Sequence, residues 1–332
     1  MVAAITKDNK SNNNKYNTLV EQRAKDVYSS DDAQTFYKHI WGDETIHIGR
    51  YDLLSHDNNN EQKTLTTEQQ ILRAQEIQEE NFVDIIASKF DQKQRGNRDG
   101  NGNDHVVTTN KTKPKLDILD MGCGYGGLLR RLWKAGYVHE ATGVDIAAPC
   151  CTQARALNEA LGCDEAITIF EESYLHVPQL PDCSVDLVIS MEALLHVGPS
   201  GQPKAIQEAF RVLRPGGWMI FTDILQKDTD GENSREMMQP IYNRLDLDNG
   251  LGTVASYTSA FEAAGFVNVS YTDHSSNVAA HYGSVLEVLL RVGDTIGLSQ
   301  EFQIKMQDGL QAWRDLAPKH MAWGFFFAQK CP

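Results

Sequence analysis

Two rhythms of apolar residues divide this chain. From Lys115 to about Ile224, short apolar runs alternate with segments in which apolar residues recur every three or four positions. The runs at 116–121, 140–146, 166–170, 185–191 and 218–224 are short and bounded by turn residues, which predicts strands. Between them, the spacing of Leu128, Leu129, Leu132 and Trp133 predicts a helix over 127–136, and similar periods predict helices over 148–161 and 202–213. Strands alternating with helices in this way build a parallel sheet wrapped by helices. Further on, the pattern predicts helices near 233–246, at Ser256–Ala264 with Gly265 as C-cap, at 277–296 and at 299–316. Strands at 266–273 and Trp323–Phe327 complete the series.

Upstream of Lys115 the period is helical and is broken by polar tracts. Residues 1–15, rich in Asn, Lys and Ser, predict a disordered arm, and 16–90 a helical segment. Ser30 or Asp31 is placed to cap a helix through Phe36, Tyr37 and Ile40. Thr66 or Thr67 opens another, carrying Ile71, Leu72, Ile77, Phe82, Ile85 and Ile86 to about Phe90. The polar face of that helix is acidic and Gln-rich without a Lys/Arg flank, so it reads as a core-packing helix rather than a membrane-surface one. A polar loop at 57–64 and a Gly/Asn/Lys-rich insertion at 91–114 connect these parts. The main domain is then 115–332, with an insertion at about 226–252.

Composition narrows the classes. With 332 residues and 41% hydrophobic content, the chain can build one large α/β core plus additions. A net charge of −14 counts against sequence-independent nucleic-acid binding, which needs a cationic footprint, and leaves a small-molecule partner open. No apolar run approaches the ~20 residues that span a bilayer, and the first residues carry no apolar signal segment. The six cysteines at 123, 150, 151, 163, 183 and 331 form no Cys-x-x-Cys pair and have no His partner at zinc spacing, so no metal is expected. Scattered thiols suit a reducing compartment, and the expected location is cytoplasmic. Vicinal Cys150-Cys151 reads as a helix start or a redox pair.

The chemistry concentrates at Ile118-Leu119-Asp120-Met121-Gly122-Cys123-Gly124-Tyr125-Gly126-Gly127, a strand feeding a glycine turn and a helix. Glycines at 122, 124 and 127 satisfy a dinucleotide fingerprint, so they do not choose the ligand; Asp120 does. A carboxylate beside a helix N-terminus repels a pyrophosphate and welcomes an ammonium or sulfonium group. S-adenosyl-L-methionine carries both and has no phosphate. Asp145 ends the next strand, about twenty residues past the glycines, where an acid can accept from both ribose hydroxyls; its other reading is a helix N-cap. Leu213-Arg214-Pro215-Gly216-Gly217-Trp218 is a helix stop and turn before the strand ending near Asp223.

These stretches, with Val144-Asp145-Ile146, Phe170–Pro178 and Ser184–Ser190, resemble class I S-adenosylmethionine-dependent methyltransferases over roughly 115–225. The resemblance implies a Rossmann-like, seven-stranded, mostly parallel sheet with an antiparallel last strand, a helical N-terminal lid and a substrate-binding insertion after the fifth strand. Tyr28-Ser29-Ser30-Asp31, Phe36-Tyr37, Ile40-Trp41-Gly42 and Ile46-His47-Ile48-Gly49, together with Glu192-Ala193-Leu194-Leu195-His196, are similar to sarcosine/dimethylglycine N-methyltransferases of betaine synthesis. Phosphoethanolamine N-methyltransferases are a related branch with a similar lid.

By that resemblance, Tyr37, Ile46, His47, Asp120, Gly122, Gly124, Asp145, Ile146 and Met191 would contact the cofactor, and Glu172, Ser173 and Tyr174 would edge the adenine. Family members often carry Asp or Asn where Ser173 sits, so here Ser173 or Glu172 is left to bond the adenine amino group. Tyr28 and His196 would meet above the methyl group as the catalytic pair. Trp41 would line the substrate site, and Arg244 would grip a glycine-type carboxylate, with Arg50 a weaker candidate for the same job; His39 and His47 are weaker candidates than His196 for the chemistry. A lid over 28–49 would bring aromatic rings to a cationic amine. The expected activity is methylation of sarcosine and dimethylglycine to betaine. The rival readings are a phosphoethanolamine enzyme, C-methylation of a lipid or sterol, and a non-catalytic cofactor-binding regulator. The pattern suits either a monomer or a homodimer.

Overall fold

The computed structural model describes residues 19, 21–42, 44–56, 65–91, 113–228, 236–245, 247 and 250–332. The expected arm at 1–15, the loop at 57–64 and nearly all of the 91–114 insertion lie outside the described residues. The alternation after Lys115 folds as read. Strands β1 (Leu116–Met121), β2 (Val138–Asp145), β3 (Ile167–Glu171), β4 (Val185–Met191), β5 (Leu213–Gln226), β6 (Phe266–Asp273) and β7 (Met321–Lys330) form one sheet in the order β3-β2-β1-β4-β5-β7-β6. β1 to β5 pair in parallel, while β7 runs antiparallel between β5 and β6. The chain reverses its direction of growth between β1 and β4. At such a switch point the loops leaving neighbouring strands part and open a crevice at the strand tips.

Alternate side chains of each strand feed opposite layers. Ile118 and Ile189 pack with Phe82 and Ile86 of the long helix α3 (Thr67–Phe90) and with Leu129 of α4 (Gly127–Lys134). Their neighbours Leu119 and Val188 face the other way, toward Ile206 of α6 (Gly198–Val212) and Phe261 of α8 (Val254–Ala264). α5 (Ala148–Leu161) follows β2, and α7 (Gln239–Leu245) lies in the segment after β5. A further apolar cluster sits over the strand tips. It joins Phe36 and Trp41 near the N-terminus to Val285 of α9 (Ser276–Val292) and to Leu310 and Trp313 of α10 (Gln300–His320).

The N-terminal segment supplies the roof. Residues 21–29 form α1, and α2 (Asp31–Phe36) starts where Ser30 Oγ accepts the Ala33 N–H at 3.1 Å. The expected single helix through Ile40 does not continue. It passes into a π-helical turn, Tyr37–Trp41, which widens the backbone so that Tyr37, Ile40 and Trp41 all become buried. Thr66 caps α3 in a reciprocal box with Gln69, at 3.3 and 3.0 Å. α6 begins at Gly198 rather than 202, because Pro199 falls in its first turn, where a missing N–H is no loss. The last helix continues to His320, since β7 follows at once and leaves no loop. Among the described residues no helix is long and apolar enough to cross a membrane.

Candidate active site

Two adjoining cavities open at the switch point beneath α1 and the π turn, and Tyr28, Ile46, Glu192 and His196 belong to the walls of both. The larger, about 660 Å³, runs across the tips of β1, β2 and β3, past Gly122, Gly124, Asp145, Ile146, Ser173 and Tyr174. The smaller, about 370 Å³, is closed by Tyr37, Trp41, His47, Arg244 and Tyr282. A recess behind the glycine turn reaches Asp120 between Gly122, Gly124, Ile46 and Met191.

The glycine turn is shaped by contact rather than by flexibility. Gly122 has φ 77°, and a Cβ there would collide with the Cβ of Ala193 after β4, so only glycine lets the two turns touch. The N–H groups of Gly122 and Cys123 both donate to Val144 O, at 2.9 and 3.0 Å. Gly124 N–H donates to Asp145 Oδ2 and Ala147 N–H to Oδ1, each at 2.9 Å. Asp145 is therefore not the cap of α5, which is Ala147. Each of its oxygens keeps a lone pair for a hydroxyl, and burial raises its carboxyl above the usual range against the pull of those N–H groups.

Asp120 is buried, and burial together with the charge of Asp145 pushes its carboxyl up to about 8. The expected standing negative charge at the first strand's tip is corrected accordingly. At neutral pH the bare protein holds this group mostly neutral, and a nearby cation would be needed to ionise it.

In the smaller cavity, Tyr28 Oη and His196 Nε2 share a hydrogen bond of 2.9 Å, and the Tyr28 ring stacks on Tyr37 with centroids 5.2 Å apart. His196 rides on a 3-10 turn, Leu194–Val197, just beyond β4. Burial, then the charge of Arg244, pushes its pKa down to about 4, while burial, with a smaller push from Tyr37, drives Tyr28 well above its usual value. Both side chains are neutral at physiological pH. His196 Nδ1 is buried without a hydrogen-bond partner among the described residues.

Arg244 is buried, its guanidinium carbon 5.8, 5.5 and 5.9 Å from the ring centres of Trp41, Tyr282 and Trp313. No carboxylate ion-pairs with it among the described residues, and its Nε has no partner. Its stem crosses Gly309 in the middle of α10, where a Cβ would sit 2.5 Å from Arg244 Cδ. A glycine that weakens a helix interior is explained by that crossing.

Other candidates are placed elsewhere. Arg50 is consumed by Asp52, at 2.8 and 2.9 Å, and His39 is exposed. His47 lines the smaller cavity and the recess by Asp120 but bonds Ile48 O at 3.0 Å and Glu79 at 3.5 Å; burial opposes its charge, and Glu79 nevertheless raises its pKa. Tyr37, expected on the cofactor, lines the smaller cavity because the π turn swings it away from the glycine loop. Glu172, expected at the adenine, lies outside the larger cavity and accepts from Gln179 at 3.4 Å. The Tyr174 hydroxyl donates to Ala193 O at 2.9 Å, which fixes the loop with Ser173 toward the cavity instead.

Sequence reasoning missed three polar wall residues: Glu21, Tyr282 and Glu192. Glu192 has φ 47°, an uncommon backbone for a non-glycine residue and one found at functional sites. Its Oε2 accepts the Ile48 N–H at 3.0 Å, and its Oε1 accepts from Thr222 Oγ1 and Trp323 Nε1, both at 2.7 Å. It thereby ties the roof to the sheet between the two cavities. The available signal was an acid directly after the apolar run ending at Met191.

Residues 118–217 match a family model described as a methyltransferase domain. Over 95% of its length the chain is 30% identical to the sarcosine/dimethylglycine N-methyltransferase of Halorhodospira halochloris, and it spans 99% of that protein. The chain belongs to the sarcosine/dimethylglycine N-methyltransferase family. Another member, the glycine/sarcosine/dimethylglycine N-methyltransferase of Actinopolyspora halophila, is 30% identical over 92% of this chain, which spans 47% of that longer protein. A Galdieria sulphuraria crystal structure assigned as a sarcosine dimethylglycine methyltransferase superposes with a TM-score of 0.74 at 27% identity, covering 92% of this chain and 98% of the other. A Haemonchus contortus phosphoethanolamine N-methyltransferase complex holding S-adenosylhomocysteine shares the fold, with a TM-score of 0.66 at 16% identity over 94% of this methyltransferase and 60% of the other chain.

Proposed function

We propose that this methyltransferase transfers methyl groups from S-adenosylmethionine to the amine of sarcosine and of dimethylglycine, giving glycine betaine. The observation that carries the reading is Arg244: a buried guanidinium walled by aromatic rings, hydrogen-bonded to Tyr282 but with no carboxylate partner among the described residues and with its Nε unsatisfied, next to the cavity over the glycine turn. Burying a charge without a counter-charge is costly, so an anionic ligand completes the pocket. A carboxylate can take two parallel N–H bonds from a guanidinium.

The larger cavity fits the cofactor. Asp145 presents free lone pairs where ribose hydroxyls would lie, Asp120 waits for an ammonium group, and Gly122 allows close approach. When bound, the cofactor would supply an electrophilic methyl, which the amine would take in line as the thioether sulfur leaves with the electron pair of the C–S bond. The chain's own work is placement. Arg244 holds the acceptor's carboxylate, and Glu192 stands between the cavities on the amine's side. His196 Nδ1 and Tyr28 Oη offer neutral polar contacts to the nitrogen without adding positive charge. The amine loses its proton more readily away from water. Tyr28, Tyr37 and Trp41 stabilise the cation that forms, at about 0.5–2 kcal/mol each. Orientation of this kind is worth roughly 7–11 kcal/mol in well-placed systems.

A phosphoethanolamine acceptor is disfavoured, because Arg244 is the one Lys or Arg among the described residues lining the smaller cavity, and a phosphate dianion calls for more. A sterol or lipid acceptor would bury its apolar body against Arg244 and Glu192. The deciding experiment offers labelled S-adenosylmethionine with glycine, sarcosine, dimethylglycine and phosphoethanolamine side by side. Turnover of sarcosine and dimethylglycine is expected. Preference for phosphoethanolamine, or cofactor binding with no turnover of any amine, overturns the reading.

A further inference from the structure

We propose that Glu21, on the roof helix α1, is the acceptor that recognises the exocyclic amino group of the cofactor's adenine. The inference rests on the cofactor reading above and adds a residue that sequence reasoning did not reach.

Position comes first. The larger cavity crosses the strand tips in the order β1, β2, β3. With the ribose on Asp145 at the end of β2, the base extends over the β3 side, between Ile146 and Cys150, toward Ser173. Glu21 and Ala24 of α1 close that end.

Chemistry then selects among the groups at the rim. An exocyclic amine is a hydrogen-bond donor and needs an acceptor. The Ser173 hydroxyl has its proton committed, donating to Glu21 Oε1 at 2.6 Å while accepting the Leu175 N–H at 3.2 Å, and its remaining lone pair is a weaker, neutral acceptor than a carboxylate. Glu172 is turned to Gln179, and Glu171 is ion-paired with Lys25 at 2.9 Å. Glu21 Oε2 has no partner among the described residues. The Ser173–Glu21 bond therefore orients a carboxylate and leaves one oxygen facing the base. A purine with a carbonyl at position 6 would place oxygen against that carboxylate and be rejected.

The same contact explains how base recognition reaches the reacting end. Glu21, Lys25 and Tyr28 are spaced i, i+4 and i+7, so they lie on one face of α1. They hold Ser173, Glu171 and His196 respectively. An adenine fastened to Glu21 fastens the helix that sets Tyr28 on His196.

The test is calorimetry on the full chain with S-adenosylhomocysteine and with S-inosylhomocysteine, its 6-oxo analogue. The wild type should prefer the amino ligand by roughly thirtyfold, a charge-assisted hydrogen bond against a repulsive pair. Glu21→Ala should lose about tenfold for the amino ligand and little for the oxo ligand, bringing the two within about threefold. Glu21→Gln, whose amide can donate, should bind the oxo ligand more tightly than the wild type does. Asp26→Ala, on the exposed side of the same helix, should change neither affinity. Equal losses for both ligands in Glu21→Ala, or none for either, overturn the proposal while leaving the cofactor reading intact. A wild-type chain that binds neither ligand overturns both.

Discussion

The two cavities are built by opposite strategies. The larger takes most of its wall from strand tips and the turns that leave them, between Gly122 and Val197, and its polar groups are positioned by backbone N–H bonds such as Gly124 and Ala147 to Asp145. The smaller takes Tyr28 and Trp41 from the N-terminal roof, Arg244 from α7 and Tyr282 from α9, three regions far apart in sequence that meet at the apolar cluster over the sheet. Their charges differ as well. The carboxyl of Asp145 lines the first, with Asp120 in the recess behind its glycine turn, whereas the second has Arg244 as its one Lys or Arg among the described residues, beside the neutral imidazole of His196 and the Glu79-bound ring of His47. A cationic donor and an anionic-ended acceptor are thus sorted by charge before they meet at Glu192 and His196, which belong to both walls.

The sharpest way to break that division is Arg244→Leu, which keeps an apolar stem among the rings. Expected is a fall of roughly a hundredfold in kcat/KM for sarcosine, carried mainly by KM, with S-adenosylhomocysteine affinity within about twofold of wild type. Steady-state kinetics and calorimetry read the two quantities separately. A parallel loss of cofactor affinity would mean that the cavities are not independent. Gly309→Ala should reproduce the defect more mildly, since its Cβ displaces the Arg244 stem.

His196→Gln comes next, with about a thirtyfold loss in kcat and unchanged cofactor affinity. Because His196 titrates near 4, the wild-type rate should show no limb assignable to it between pH 5.5 and 8. A limb near 6.5 that vanishes in the variant would show the ring charging in the working enzyme. Asp145→Ala should act on the other side: roughly tenfold to twentyfold weaker cofactor binding, from lost hydroxyl contacts, with acceptor KM nearly unchanged at saturating cofactor. An unaltered dissociation constant would remove Asp145 from the ribose site.

This contrast also decides what could be read from the chain. Asp120, Gly122, Gly124 and Asp145 were legible because a strand end followed by a turn fixes a residue's place within a few ångströms, whatever the rest of the molecule does. The sheet itself was legible for the same reason, down to the helix at 148–161 and the strand at 266–273. Glu172 was aimed wrongly because the loop after β3 has no period, and its direction is set by a distant bond from Tyr174 to Ala193. Tyr37 changed cavities because a π turn leaves no mark in an apolar pattern of helical period. Tyr282 and Glu21 lie on helices whose own sequences say only which face is buried. Arg244 could be suspected from its position after β5, but its lack of a carboxylate partner among the described residues is a fact of packing.

The smallest effect tests the electrostatic half of the contrast. In the bare protein Asp120 titrates near 8, from burial and the neighbouring Asp145 charge. A cofactor ammonium placed beside it favours the carboxylate and lowers that pKa, so between the two values binding expels a proton. Affinity must then rise with pH throughout that window and level off above 8. From pH 6 to 7, where the ligand's own amine stays protonated, the gain is about tenfold for one proton released. Calorimetry of S-adenosylhomocysteine binding in buffers of different ionisation enthalpy measures that proton directly, and Asp120→Asn should abolish both the slope and the release. A flat profile in the wild type would mean that Asp120 is already charged before the ligand arrives. The glycine-turn cavity would then be a standing anionic site, and the acid sorting the donor would be fixed rather than switched on by it.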